Sequence, residues 1–286
     1  MCSDIESTDL CSRHIDVIFS ELVKEKLINP QSKFFSTSKK RTLKTCFQSL
    51  YPLAKFFNHS SKTYFDFFLH NSYLFIFAFF LDQSLDSLEN NPSTKVRAFQ
   101  ISSYLLLKYF EWLSKAHKPK IINLFYEYYK EQTKYLIIEK KWKFPTLYLS
   151  AYGSVKKIIK KEIILTLPLD LCKINLYTCK PLILKDLFIN YYSFILLADD
   201  LIDLNSDMRN HCLTYPISMY FKLKGELPQS YEDVTSSLPR LNIIETLKKF
   251  LEKITKLEID IGQQSSIINN TILAIKSELR KKGFNL

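Results

Sequence analysis

Apolar residues recur every three to four positions through most of this chain, which is the spacing of amphipathic helices. An early helix is expected over residues 14–27, with Asn29 and Pro30 as its stop signal. Two more helices are expected at about 240–258 and 260–281. Residues 1–12 are expected to form a flexible N-terminus. The pattern therefore predicts a series of consecutive helices.

The middle of the chain predicts further helices separated by short breaks. They are expected at 43–57, 95–116, 119–142, 145–165 and 217–224. The last of these follows Thr214, Tyr215 and Pro216 and is stopped by Gly225. The longest polar stretch, residues 226–239, is expected to be a loop.

Two of the predicted helices are apolar over most of their length and end in carboxylates. One spans residues 63–88 and carries Asp82 and Asp86 after its apolar run. The other is expected to run unbroken over residues 182–210, because neither Pro nor Gly interrupts this segment. It carries its carboxylates over the last turns, after the apolar run 187–198. The same arrangement therefore occurs twice in the chain.

Three carboxylates of the later helix, those of Asp199, Asp203 and Asp207, recur at every fourth position. At 3.6 residues per turn they share one face and span an arc of about 80°. Buried beside an apolar run, such like charges require a compensating cation. Oxygen ligands suit a hard divalent cation, Mg²⁺ first. The alternative is a solvated acidic helix end, which is also the plainer interpretation of Asp82 and Asp86 taken alone.

The composition agrees with an all-α protein. Only four Gly and ten Pro interrupt 286 residues, and 47% of the residues are hydrophobic, enough for a large core. No linker divides the chain, so residues 13–286 are expected to form a single domain. The fold expected is thus a single-domain bundle of about 10–12 helices.

The charge balance narrows the classes of partner. The net charge of +11 favours an anionic partner: nucleic acid, a membrane surface or a phosphorylated substrate. Nucleic acid is not expected, because no binding motif occurs and two Asp clusters would repel phosphate in the absence of metal. The basic stripe that includes Lys156 and Lys157 is either a solvated helix face or a contact for a diphosphate.

Localisation is expected to be cytoplasmic, with association to a membrane surface left open. The six cysteines form no CxxC pair, which favours reduced thiols. The start of the chain is polar rather than a secretory signal. The longest apolar run, 73–81, is shorter than the roughly 20 residues of a membrane span.

Taken together, the two acidic segments resemble the class I isoprenoid (terpenoid) synthase superfamily, and within it the squalene/phytoene synthase-like branch. The second motif is the more specific, and Pro216 follows Asp207 at the distance that the family pattern expects. The triad also resembles the metal motif of terpene cyclases. Phe79-Phe80-Leu81 and Ile202 stand where squalene and phytoene synthases have Arg. The resemblance spans residues 63–220.

This resemblance implies an α-helical bundle around a central cavity, in which several Mg²⁺ ions hold a prenyl diphosphate. Asp82 and Asp86 would hold one part of the metal cluster, and the triad the other. Arg209, Lys156, Lys157 and Tyr215 would contact the diphosphate. Aromatic residues before each motif, such as Phe75, Phe79, Tyr191 and Phe194, would shield the carbocation from water.

The activity implied is ionisation of an allylic diphosphate, with cyclisation and condensation both left open. A non-catalytic helical protein of the same fold, acting at a membrane surface or as an interaction protein, is the alternative. The sequence does not determine substrate chain length, product skeleton or oligomeric state.

Overall fold

All regular structure that the computed structural model describes is α-helical. The described residues are 4–29, 70, 72–81, 84, 92–115, 119–155, 181–261 and 266–286. No strand occurs among them, which confirms the all-α class. The helix expected at 43–57 lies outside the described residues. None of the described helices is both long and apolar enough to cross a membrane.

The chain forms two compact units. The first comprises Met1–Phe125 with Asp170–Thr178, and the second comprises Tyr126–Leu169 with Cys179–Leu286. The organisation of residues 13–286 as a single domain stays a prediction.

The first unit contains α1 (Asp4–Lys24), a helical stretch over residues 72–81, α2 (Pro92–Lys115) and the start of α3 (Pro119–Glu139). Because α1 begins at Asp4, much of the segment expected to be flexible is helical. The core is apolar and comes from three helices: Ile15, Ile18, Phe19, Leu22, Leu74, Ile76, Phe77, Phe80, Ala98, Ile101, Leu105 and Tyr109. Apolar burial at helical spacing accounts for this packing.

A carboxylate links the three helices of this unit. Glu21 of α1 accepts hydrogen bonds from the Tyr73 hydroxyl and, at 2.7 Å, from the Tyr104 hydroxyl. The ammonium of Lys108 lies 3.0 Å from the same carboxylate. Burial alone would raise the pKa of Glu21, but these three donors outweigh it and lower the pKa. The charged carboxylate therefore joins α1 to both neighbouring helices.

The second unit contains the rest of α3 and seven more helices. These are α4 (Pro145–Tyr152), α5 (Pro181–Ile202), α6 (Leu204–Arg209), α7 (Tyr215–Lys224), α8 (Tyr231–Leu241), α9 (Ile243–Ile261) and α10 (Ser266–Lys281). Helix α5 lies at the centre, packed against α6, α7, α9 and α10. Buried residues occur on all sides of its middle turns, as expected for a helix enclosed by others. The apolar helix that ends in carboxylates is thus the core element of this unit.

The expectation of a loop over residues 226–239 is wrong from Tyr231 onward, where α8 begins. Ser230 accepts a hydrogen bond from the backbone N–H of Asp233, whose carboxylate accepts the backbone N–H of Ser230 in return. This capping box satisfies donors that the first turn of a helix leaves unpaired. Val234, Leu238 and Leu241 then bury one apolar face of α8.

The expected unbroken helix over residues 182–210 is also corrected. Helix α5 ends at Ile202, Asp203 is a bend, and α6 continues from Leu204. The backbone of Asp203 still donates to Asp199 at 2.8 Å, and that of Asp207 donates to Asp203 at 2.9 Å. Helical hydrogen bonds therefore cross the bend, and the acidic residues keep their helical spacing.

Candidate metal site at the end of the central helix

The acidic residues of α5 and α6 separate into an exposed pair and a half-buried pair. Asp199 and Asp203 are exposed, and Asp200 and Asp207 are half-buried. The stripe predicted from the sequence is therefore present, but its members differ in their surroundings.

Asp199 and Asp203 lie one helical turn apart and interact through their charges. Although part of Asp199 meets solvent, enough protein surrounds it that burial raises the pKa of its carboxyl to about 6. The charge of Asp203 adds to the rise. A proton or a metal ion at Asp199 would relieve both the desolvation and the repulsion.

Asp200 lies in a more enclosed position and has a backbone partner. Burial raises its pKa well above the ordinary value, and the charges of Asp207, Asp199 and Glu139 raise it further. The opposing influence is the backbone N–H of Tyr215, which donates to Oδ2 of Asp200 at 3.1 Å. Asp200 therefore joins the end of α5 to the start of α7.

Asp200 is not among the residues predicted to bind metal, because it lies off the face shared by Asp199 and Asp203. It lies, however, seven residues before Asp207, which places the two within about 20° on a helix. That spacing was a signal available in the sequence. No spacing in the sequence indicates that Glu139 lies near Asp200. The two residues come together only because the end of α3 lies beside α5 in the tertiary structure.

The end of α3 lies beside the acidic residues of α5 and α6. The carbonyl of Glu139 accepts the backbone N–H of Leu213 at 2.8 Å, and the side chain of Glu139 pairs with Lys140 at 3.8 Å. The ammonium of Lys140 also lies 3.3 Å from Sγ of Cys212. Burial raises the pKa of this thiol to about 11, so Cys212 is a neutral, buried residue. The loop between α6 and α7 is thus anchored to α3.

Helix α7 begins at Tyr215, two residues before the expected start at 217, with Pro216 in its first turn. Thr214 occupies the N-cap position but makes no side-chain capping hydrogen bond. Asp200 supplies an acceptor for this end of the helix from α5 instead. Gly225, with a φ of 79°, ends the helix in the left-handed conformation that favours glycine.

Of the four residues predicted to contact a diphosphate, two lie among the described residues. Arg209 is exposed in the last turn of α6, and Tyr215 is half-buried at the start of α7, where burial raises its pKa. Lys156 and Lys157 lie outside the described residues. The role of all four residues in binding a diphosphate stays a prediction.

The donor set suits Mg²⁺ in chemistry, since four carboxylates occur within three turns and burial disfavours the charge of two of them. Within the described part of the chain, however, no three His, Cys, Asp or Glu side chains form a group able to hold a metal ion. A further set of ligands would be required. Asp82 and Asp86, the residues predicted to supply it, lie outside the described residues.

The aromatic residues before the second motif are buried. Tyr191 and Phe194 have no exposed surface, and Tyr191 forms a side-chain hydrogen bond with Thr271 of α10. Both fit the ordinary helix core as well as the cavity lining expected from the sequence.

Comparison with known proteins leaves the family unassigned: no protein-family model, curated protein or solved structure matches this chain.

Proposed function

We propose that this protein is a Mg²⁺-dependent class I terpene synthase or related prenyl diphosphate-converting enzyme. The observation that carries the proposal is the set of carboxylates at the end of α5, which includes Asp199 with its pKa raised to about 6. Carboxylates held in a setting that disfavours their charge are suited to neutralisation by a cation. The resemblance of the sequence to isoprenoid synthases supports the same interpretation.

In the proposed reaction the allylic carbon–oxygen bond breaks, and the bonding electrons leave with the diphosphate. Several Mg²⁺ ions would offset the charge of this leaving group. Asp199, Asp203 and Asp207 would hold part of the ion cluster. Arg209 would donate hydrogen bonds to the diphosphate oxygens. The resulting carbocation would then undergo cyclisation or condensation.

The bend at Asp203 supports a role for this residue in particular. Its exposed side chain lies between the end of α5 and the start of α6, one turn from Asp199 and one turn from Asp207. A ligand at this position contacts a metal ion without removing a buried hydrogen bond from the core. Asp203 is therefore the residue to substitute first.

The test is incubation of the purified full chain with Mg²⁺ and geranyl, farnesyl or geranylgeranyl diphosphate. Diphosphate release and hydrocarbon products are measured for the native chain and for Asp203→Asn. Because loss of even an outer-shell partner of a metal ligand typically costs about 10- to 100-fold in metal affinity or activity, loss of a ligand should lower release by at least that factor. Asp186→Asn is the matched control, since Asp186 is exposed on the same helix but outside the acidic set.

The proposal is wrong if no chain length yields diphosphate with the native protein. It is also wrong if Asp203→Asn releases diphosphate as fast as Asp186→Asn. Absence of release together with intact folding would favour the non-catalytic alternative.

A further inference from the structure

Helix α2 presents a row of large apolar side chains to solvent. Val96, Phe99, Leu107 and Phe110 are exposed to 57%, 58%, 68% and 36%. At 100° per residue they fall within an arc of about 80° and extend over about 20 Å of helix. These four residues are called the α2 stripe below.

The stripe lies opposite the face that α2 uses for the core. Ala98, Ile101, Leu105 and Tyr109 are fully buried on that other face. Single exposed apolar residues are common on proteins, but four on one line of a helix are not scattered. At the end of the stripe the rings of Phe110 and Phe125 pack edge to face, with their centroids 5.2 Å apart.

The charges beside the stripe are mainly basic. Helix α2 carries Lys95 and Arg97 near the stripe, whereas Lys108 is paired with Glu21 of α1 at 3.0 Å. Glu111 is paired with Lys115 at 2.6 Å, so its charge is offset within the helix. An apolar stripe with basic neighbours is the pattern of helices that lie in a membrane interface and attract anionic lipid.

The charges near the stripe, rather than its area, disfavour a second copy of the chain as its occupant, because a copy docking by the same face would bring its own Lys95 and Arg97 toward those of the first. The four exposed fractions correspond to roughly 400 Å², when a large apolar side chain counts about 200 Å². A standard protein interface buries about 800 Å² on each partner, of which somewhat more than half is apolar, so the area of the stripe alone does not distinguish the two occupants. A lipid surface surrounds whatever apolar area is inserted.

We infer that the α2 stripe is a docking surface for an anionic lipid membrane, with the apolar side chains inserted among the lipids and Arg97 beside the headgroups. The inference depends only on the first unit of the chain and is independent of the proposed diphosphate chemistry.

The test is co-sedimentation of the full chain with vesicles of phosphatidylcholine alone and of phosphatidylcholine mixed with phosphatidylglycerol. Binding should be stronger to the mixed vesicles and should decrease with added salt. The double substitution Phe99→Ser and Leu107→Ser should weaken it at least ten-fold, since two inserted side chains are lost. Arg97→Gln should weaken it about five-fold.

Leu273→Ser is the matched control, because Leu273 is 65% exposed on α10 of the other unit. Its binding should equal that of the native chain, and circular dichroism should give the same helix content for all variants. Arg97→Gln keeps the inference testable if the double variant fails to fold.

The inference is overturned if the native chain does not sediment with mixed vesicles, or if Leu273→Ser weakens binding as much as the stripe variants. Light scattering distinguishes the other occupant. A dimer that dissociates on Leu107→Ser, without any vesicle binding, would overturn the inference in favour of a second copy.

Discussion

Replacing Asp200 by Ala or by Asn separates the two effects that act on this carboxylate. Its Oδ2 accepts the backbone N–H of Tyr215 at 3.1 Å, while burial and the charges of Asp207 and Glu139 disfavour its ionisation. Ala removes both the acceptor and the charge. Asn removes the charge but keeps an oxygen at the same position. The difference between the variants therefore measures the hydrogen bond.

The magnitude follows from the start of α7. The first N–H groups of a helix have no partner within the helix, and the side chain of Thr214 supplies none here. Leaving the Tyr215 N–H unpaired should cost about 1–2 kcal/mol. The Asn variant should be at least as stable as the native chain at pH 7, because it no longer places a charge beside Asp207 and Glu139.

The assay is unfolding of both variants by urea and by heat, followed by far-ultraviolet circular dichroism. The melting temperature of Asp200→Asn should exceed that of Asp200→Ala by roughly 2–8 °C, at about 2–4 °C per kcal/mol. A second measurement adds Mg²⁺ and inorganic diphosphate. Asp200→Asn should keep the stabilisation that these ligands give the native chain, whereas Asp203→Asn should lose it.

Equal stability of the Asn and Ala variants would refute the assignment of Asp200 as the anchor of α7. Loss of the Mg²⁺ effect in Asp200→Asn, with the fold intact, would instead make Asp200 a metal ligand. The two results are independent, since one is measured without ligand and the other with it.

Three further predictions concern ionisation and helix capping. Because the folded-state pKa of Asp199 is raised to about 6, its contribution to stability without metal should fall as pH rises from about 4 to 6. Mg²⁺ must displace that proton, so the rise in melting temperature with Mg²⁺ should grow from pH 5 to 7, and Asp199→Asn should remove this dependence. The pKa of Glu21 is lowered, so the stability it contributes is present above its ordinary pKa of 4.5 and is lost as pH falls. Urea midpoints between pH 3 and 7 should therefore decrease toward acid in the native chain and less so in Glu21→Gln; equal slopes would contradict this. Ser230→Ala should destabilise the protein by about 1 kcal/mol through loss of the capping box, while the exposed Ser236→Ala should not.

Local chemistry determined several elements without help from the fold. Helix α7 begins at Tyr215 and Pro216 and ends before Gly225, as the preferences of Pro and Gly dictate. The continuous apolar run of α5 likewise predicted a buried helix, because such a run has no polar face to expose. The helical spacing of Asp199, Asp203 and Asp207 followed from the same periodicity.

Helix α8 and the bend at Asp203 were missed for opposite reasons. In α8, the polar residues and Pro239 favoured the prediction of a loop. A capping box and a narrow apolar face stabilise the helix instead, because α7 and α9 pack against it. At Asp203 neither Pro nor Gly is present to indicate a break in the helix. The bend occurs where α5 passes from enclosure by other helices to an exposed end.

The stripe of carboxylates at the end of α5 was determined by the sequence alone, because spacing along a helix fixes the angle between side chains. Which carboxylates are enclosed was decided by the tertiary structure, since Glu139 of α3 and the N–H of Tyr215 reach Asp200 only after folding. The exposed stripe of α2 follows the same rule. Its apolar spacing is visible in the sequence, but packing decides which apolar face is covered and which one is left to solvent.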